Sequence, residues 1–396
     1  MPTPNRIVHP AVCQYEIWPG EPGYPWAKSG MRLWTREGIL RRVGQSGLLC
    51  TWTTGGFSEP TMGNFTMAAR SENNGETWSE PQLLFRHSHR GLFTTELFQP
   101  RADQPDEIHA FLQTYELGVW MTQLHSYRAI SKDGGRTWSG PHSIPGNIQN
   151  VWVNSGIVLS NGRWMLPVSW AEHCGEAWCP PSIGRSPTEP WVGQGPQAHL
   201  ELPWGADLPL LYQQGNAWAD ANHRYAAGVM VSDDGGESFQ LRGYLRHPEA
   251  RHFIEPKVVE LSDGRIVLLS REKWKGGVWQ SESHDGGQTW SPVELTGIPN
   301  PSSKFRILKA RDGRIFLLHN PVPVENGAKW GRRSPLSLWV SEDDMRTWPV
   351  KVDLVTDPDH NLNYPDGFLD EERQEIHFAW EDAYSVFIAR VPMGIR

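Results

Sequence analysis

One octapeptide pattern recurs five times in this 396-residue chain: SENNGETW at 71–78, SKDGGRTW at 131–138, SDDGGESF at 232–239, SHDGGQTW at 283–290 and SEDDMRTW at 341–348. The copies begin 60, 101, 51 and 58 residues apart, a period suited to one four-stranded sheet per repeat. They follow apolar alternating stretches such as FTMAAR, YRAI and LSLWV. The Asp/Asn and Gly of the pattern cap a tight turn and supply positive φ, so the repeat reads as a structural turn rather than a site of chemistry. Its closing Trp or Phe is expected to plug the core of its own sheet.

Composition agrees with many short elements. Gly 39 plus Pro 32 make 71 of 396 residues, spread along the chain, which leaves little room for long helices. The 21 Trp, 13 Phe and 9 Tyr supply core volume that a hydrophobic share of 38% would otherwise leave thin. A formal charge of −8 without any Lys/Arg run argues against nucleic acid as a partner. No stretch reaches the roughly 20 apolar residues of a membrane span, and the opening MPTPNRIVHP lacks an apolar signal core, so a cytoplasmic protein without a membrane partner is expected. Cys13, Cys50, Cys174 and Cys179 are too scattered for a disulfide framework and read as thiols.

The repeat has the residues of the Asp-box, Ser-x-Asp-x-Gly-x-Thr-Trp, and here the chain resembles the sialidase superfamily of Asp-box (BNR-repeat) β-propellers. The resemblance implies an all-β, six-bladed β-propeller forming one domain over 1–396. Strand-like runs place blade one at 36–87, blade two at 92–145, blade four at 252–296 and blade five at 303–355, each box lying between third and fourth strands. Blade three takes two strands from 151–170 and a third from 224–231, leaving an insertion at 171–222, expected as a Pro/Trp-rich flap beside the channel. Counting that insertion as a blade would give seven. YPDGFL, EIHFAW and YSVFIARV, with a strand from near 6–18, close the sixth blade and remove an exposed sheet edge.

Several stretches are similar to sialidase site motifs. HFIEPKVVELSDGRIVLLSR matches the segment in which a Glu opens a blade's first strand and an Arg closes the second, which implies roles for Glu255 and Arg271. KWGRRSPLSLWV matches the Trp-x-Arg segment before a later box, implying Arg332, with Arg333 as the one-residue alternative. In DHNLNYPDGFL, Tyr364 takes the place of the nucleophile. The family opens with Arg-Ile-Pro; this chain has Arg36-Glu37-Gly38. The loop TTGGFSEPTMGN, where the family carries an acid/base Asp, offers Glu59 instead.

Together these imply a retaining exo-glycoside hydrolase acting on a terminal acidic sugar. Arg36, Arg271 and Arg332 or Arg333 would bind the carboxylate. Tyr364, with Glu255 as its base, would attack the anomeric carbon, and Glu59 would be the acid/base. The rival reading is a polysaccharide lyase using Tyr364 or one of His87, His89, His109 and His125 as base, or a propeller that binds glycans without turnover. His173, Cys174 and Cys179 lack a matching fourth ligand, so no metal and no cofactor are expected.

Overall fold

The computed structural model describes residues 5–19, 33–55, 61, 63–88, 90–101, 103–115, 124–172, 191–192, 224–250, 252–273, 275–324, 328 and 330–396. These form six antiparallel sheets arranged as a propeller. Blade one runs Thr35–Val43, Gly47–Thr54, Phe65–Ser71 and Gln82–His87 from channel to rim. Blade two follows with Gly91–Phe98, Ile108–Tyr115, His125–Ser131 and Ser139–Ser143. In blade three the inner strand is broken into Trp152–Val153 and Ile157–Val158, both paired with Trp164–Glu172, then Arg224–Ser232 and Gln240–Leu245. Blade four has Ile254–Glu260, Ile266–Arg271, Gly277–Ser283 and Glu294–Pro299. Blade five has Arg306–Lys309, Ile315–His319, Leu336–Ser341 and Val350–Thr356. Blade six has Asn363–Asp370, Glu375–Glu381 and Val386–Pro392.

The strand expected near 6–18 is two strands. Ile7–Val8 adds to the rim of blade five, and Cys13–Trp18 supplies the fourth strand of blade six. Just before them Arg6 bonds Asp357 and Asp382, each at 2.8 Å, and its guanidinium lies over Trp380 and Phe387. Most of the 171–222 insertion, and with it the expected flap, lies outside the described residues. Its strand Trp191–Val192 pairs with Arg86 and His87, so it adds a fifth strand to blade one, two blades away from where the insertion leaves the fold.

Each box folds as its side chains dictate. Ser131 Oγ donates to Asp133 (2.8 Å) and accepts from the Gly135 amide (2.7 Å), while Asp133 accepts from the Thr137 amide and hydroxyl. The copies at Ser232, Ser283 and Ser341 repeat this pattern. In the last, Asp344 and Met345 take the left-handed positions that glycines hold in the copies at 131, 232 and 283, at φ 55° and 65°. The box aromatic packs on its own sheet and also reaches across the seam to the preceding one. Trp138 meets Phe85 of blade one edge-on at 5.3 Å, and Trp78, Trp290 and Trp348 likewise join clusters shared with the preceding blade. The indole N–H donates to the glycine carbonyl three residues back, which turns the ring across the seam. Six large apolar clusters, each spanning two neighbouring blades, form the core among the described residues.

Candidate functional site

The inner strands of blades one, four and six share an irregularity where they enter the channel. Glu37, Glu255 and Tyr364 have φ of 57°, 53° and 43°. At each the pairing with the second strand slips, between Arg36 and Ile39, Ile254 and Lys257, and Asn363 and Asp366. Such bulges re-aim side chains, and a left-handed non-glycine residue costs roughly 1–3 kcal/mol that the rest of the fold must offset. Three of them at matching places mark where the chain sacrifices regularity for placement.

The bulges bring together four of the residues expected from sequence. Arg271 forms a buried ion pair with Glu255 and hydrogen-bonds Tyr364; its guanidinium carbon is 5.8 Å from the Tyr364 ring centre. Burial disfavours the Arg271 cation, but Glu255 and then Tyr364 outweigh it and raise its proton affinity. Arg36 is buried, donates to the Phe93 carbonyl and lies over the Phe93 ring, close enough to Tyr364 and Glu255 to feel both.

The alternative arginine is the fifth member of the cluster. Arg333 lies 4.9 Å from the Tyr364 ring centre and is fixed by Asn363 Oδ1 (2.8 Å) and the Ser302 carbonyl (3.0 Å). Arg332 is exposed and donates to the Asp357 carbonyl at 2.9 Å, outside this cluster. Glu59 and His89 lie outside the described residues, as do His173, Cys174 and Cys179. The other histidines do not gather. His87 sits on blade one's outer strand against Trp191, His109 bonds Glu107 beside Trp164, and His125 begins the third strand of blade two. Among the described residues no group of His, Cys, Asp and Glu is arranged to hold a metal ion.

Several residues of the site were not anticipated. Glu381 is fully buried, accepts from the Ala383 amide at 3.1 Å and bonds Asn363, so it backs the side chain that fixes Arg333; burial pushes its carboxyl up to about 8. Below Tyr364 the channel is filled by charge. Arg41 bridges Glu96 (2.7 Å) and Asp366, Arg306 approaches Asp366 at 3.7 Å, and Lys304 meets Glu37 at 3.5 Å. Burial pushes Asp366 up, but Arg41 and Arg306 bring it down to about 2. Lys257 and Asp366 stand two positions after Glu255 and Tyr364, just beyond the bulges, where the regular pairing resumes.

Residues 47–377 match the family model described as BNR repeat-like domain. The chain is 25% identical over 291 residues to the sialidase of Micromonospora viridifaciens, covering 72% of this chain but only 41% of that protein, so it spans less than half of that relative's length. A Dyadobacter fermentans protein of unknown function superposes with TM-score 0.66 at 15% identity, over 97% of this chain and 100% of the other. Trypanosoma rangeli sialidase bound to the inhibitor DANA gives 0.66 at 14% identity, over 97% of this chain and 60% of that one. At such identities these superpositions establish the fold. The chain therefore belongs to the BNR repeat-like domain family, as a six-bladed β-propeller of the sialidase superfamily.

Proposed function

We propose that the protein is a sialidase-type retaining exo-glycosidase that removes a terminal acidic sugar from a glycan. The observation that carries this reading is the placement of Tyr364 between Arg271 and Arg333, with Glu255 held against Arg271. Arg271 and Arg333, with Arg36 beside them, present planar forks suited to a carboxylate. A neutral phenol approaches an anomeric carbon that carries a carboxylate without the repulsion an anionic nucleophile would meet.

In the first step Tyr364 Oη bonds to the anomeric carbon, its proton passes to Glu255, and the glycosidic bond breaks as Glu59 protonates the leaving oxygen. In the second, Glu59 takes a proton from water, which attacks the same carbon; the Tyr364–sugar bond breaks and the phenol recovers its proton from Glu255. Two inversions give net retention. The test is proton NMR of an aryl glycoside of sialic acid during turnover. The expected first product is the anomer of the substrate's own configuration. The opposite anomer, or an unsaturated acid absorbing in the ultraviolet, would overturn the proposal, the latter in favour of a lyase.

A further inference from the structure

Among the described residues, the charged ring below Tyr364 contains an amine without a carboxylate of its own. Lys257, two residues beyond Glu255 on the inner strand of blade four, is 1% exposed. Among the described residues its Nζ bonds Ser155 Oγ of blade three, at 3.2 Å, and Ser155 in turn donates to Asp366 at 3.3 Å. The carboxylates around it are engaged elsewhere, Glu96 of blade two and Asp366 of blade six by Arg41 of blade one, and Glu37 of blade one by Lys304 of blade five. Lys304 and Arg306 of blade five add like charge. Burial first, and then the Lys304 ammonium, bring the Lys257 amine down to about 7, so near neutral pH both protonation states are populated.

We propose that Lys257 is a positioning residue for the site above it, a buried amine that takes up a proton when an acidic sugar seats its carboxylate among Arg36, Arg271 and Arg333. This rests on the acidic-sugar reading given above. A unit negative charge about 10 Å from an amine, in a medium of effective dielectric about 20, favours its protonated form by roughly tenfold. Linkage is reciprocal: whatever the anion does to the amine, the amine's proton does to the affinity for the anion. Affinity should therefore fall by up to about tenfold as pH rises from 6 to 9, although the ligand's own carboxylate stays ionised throughout.

Glu381 also titrates beside Arg333, with a carboxyl at about 8, and its ionisation weakens anion binding in the same direction. Variants separate the two. Sialic acid is titrated by calorimetry at about pH 7.5 in two buffers of different ionisation enthalpy, which gives the protons taken up per ligand bound. Wild type and Glu381→Gln are expected to take up a fraction of a proton, and Lys257→Met distinctly less. Uptake in Lys257→Met equal to wild type overturns the proposal, as does a wild type that binds with no uptake.

A second readout needs no ligand. The folded amine lies below the ordinary lysine value of about 10.5, so between pH 7 and 10 the unfolded chain holds more protons, and wild-type stability should rise with pH relative to Lys257→Met. A stability difference that is flat over this range also overturns the proposal. If neither sialic acid nor glucuronic acid binds wild type at any pH, the acidic-sugar reading fails and the proposal with it, whereas binding without proton uptake defeats the proposal alone.

Discussion

The guanidinium carbon of Arg333 stands 4.9 Å from the centre of the Tyr364 ring, and Asn363 and the Ser302 carbonyl hold it there. Its neighbour Arg332 reaches the other way, to Asp357. The two arginines should therefore differ sharply on mutation. Arg333→Ala is expected to lower kcat/KM on an aryl glycoside of sialic acid by about 100-fold or more, as loss of a desolvated charge partner does. Arg332→Ala, exposed, should stay within about threefold. Comparable losses from both would place Arg332 in the site.

Tyr364 can be tested by trapping. A 2,3-difluoro analogue of sialic acid forms a glycosyl adduct that hydrolyses slowly, because fluorine destabilises the oxocarbenium-like transition state. Intact mass should rise by one sugar, with the label on the peptide containing Tyr364. Tyr364→Phe should give no adduct, and Glu255→Gln a slower one. A label on a different residue would remove Tyr364 from the nucleophile role.

The boxes should matter for stability and not for binding. Asp133→Ala removes acceptors for the Thr137 amide and hydroxyl and should cost about 1–2 kcal/mol in urea unfolding, with ligand affinity unchanged. Burial pushes the Asp133 carboxyl up, but hydrogen bonds from Thr137, Ser131 and the Arg136 amide bring it down to about 2. A depressed carboxylate stabilises above its unfolded value and loses that contribution as pH falls, so the gap between wild type and variant should close between about pH 4 and 2. A gap that persists at pH 2 would show that the carboxylate's charge is not what holds the turn.

Arg6 ties blade five to blade six. Its partners Asp357 and Asp382 are buried and belong to blades five and six. Arg6→Ala leaves both carboxylates without that cation and should lower stability by about 3–5 kcal/mol. Asp382→Asn combined with Arg6→Ala should cost less than the two single changes summed, since the pair couples. Strict additivity in urea midpoints would mean that the contact contributes nothing.

Glu381 gives a pH signature of opposite sign to that of Asp133. Its folded carboxyl, raised by burial to about 8, keeps its proton where the unfolded chain has lost it. Stability from the protonated form is complete below about pH 4.5 and is lost as pH rises toward 8. Relative to Glu381→Gln, wild type should weaken over that range by a few kcal/mol, order of magnitude. Parallel stability curves for the two proteins would show that Glu381 ionises normally.

The blade count was legible because the box is a local object: Ser, Asp, Gly and Thr within eight residues close their own hydrogen bonds. That Glu255, Arg271 and Tyr364 come together was legible through the stretches that resemble sialidase motifs. Arg332 was favoured over Arg333 because spacing counts residues, and only the backbone decides which of two neighbours faces inward. The reach of the box Trp across the seam was not legible, since the direction of an indole there depends on how the neighbouring blade meets it. Glu381, Lys257 and Lys304 act through burial, and burial at the channel exists only once six blades have come together. His87, His109 and His125 cluster in sequence but are separated by strand order.

The assignment of Cys13–Trp18 to blade six has a temporal corollary for a chain made residue by residue. Trp191 can dock on His87 once the segments between them exist, and that short tie joins the third blade's insertion to the first blade. The strand at Cys13 has no partner until Val386–Pro392 emerges from synthesis, and Arg6 has neither carboxylate before residues 357 and 382. Cys13–Trp18 must wait for that partner until the other blades have been made, and it is among the last strands to be ordered.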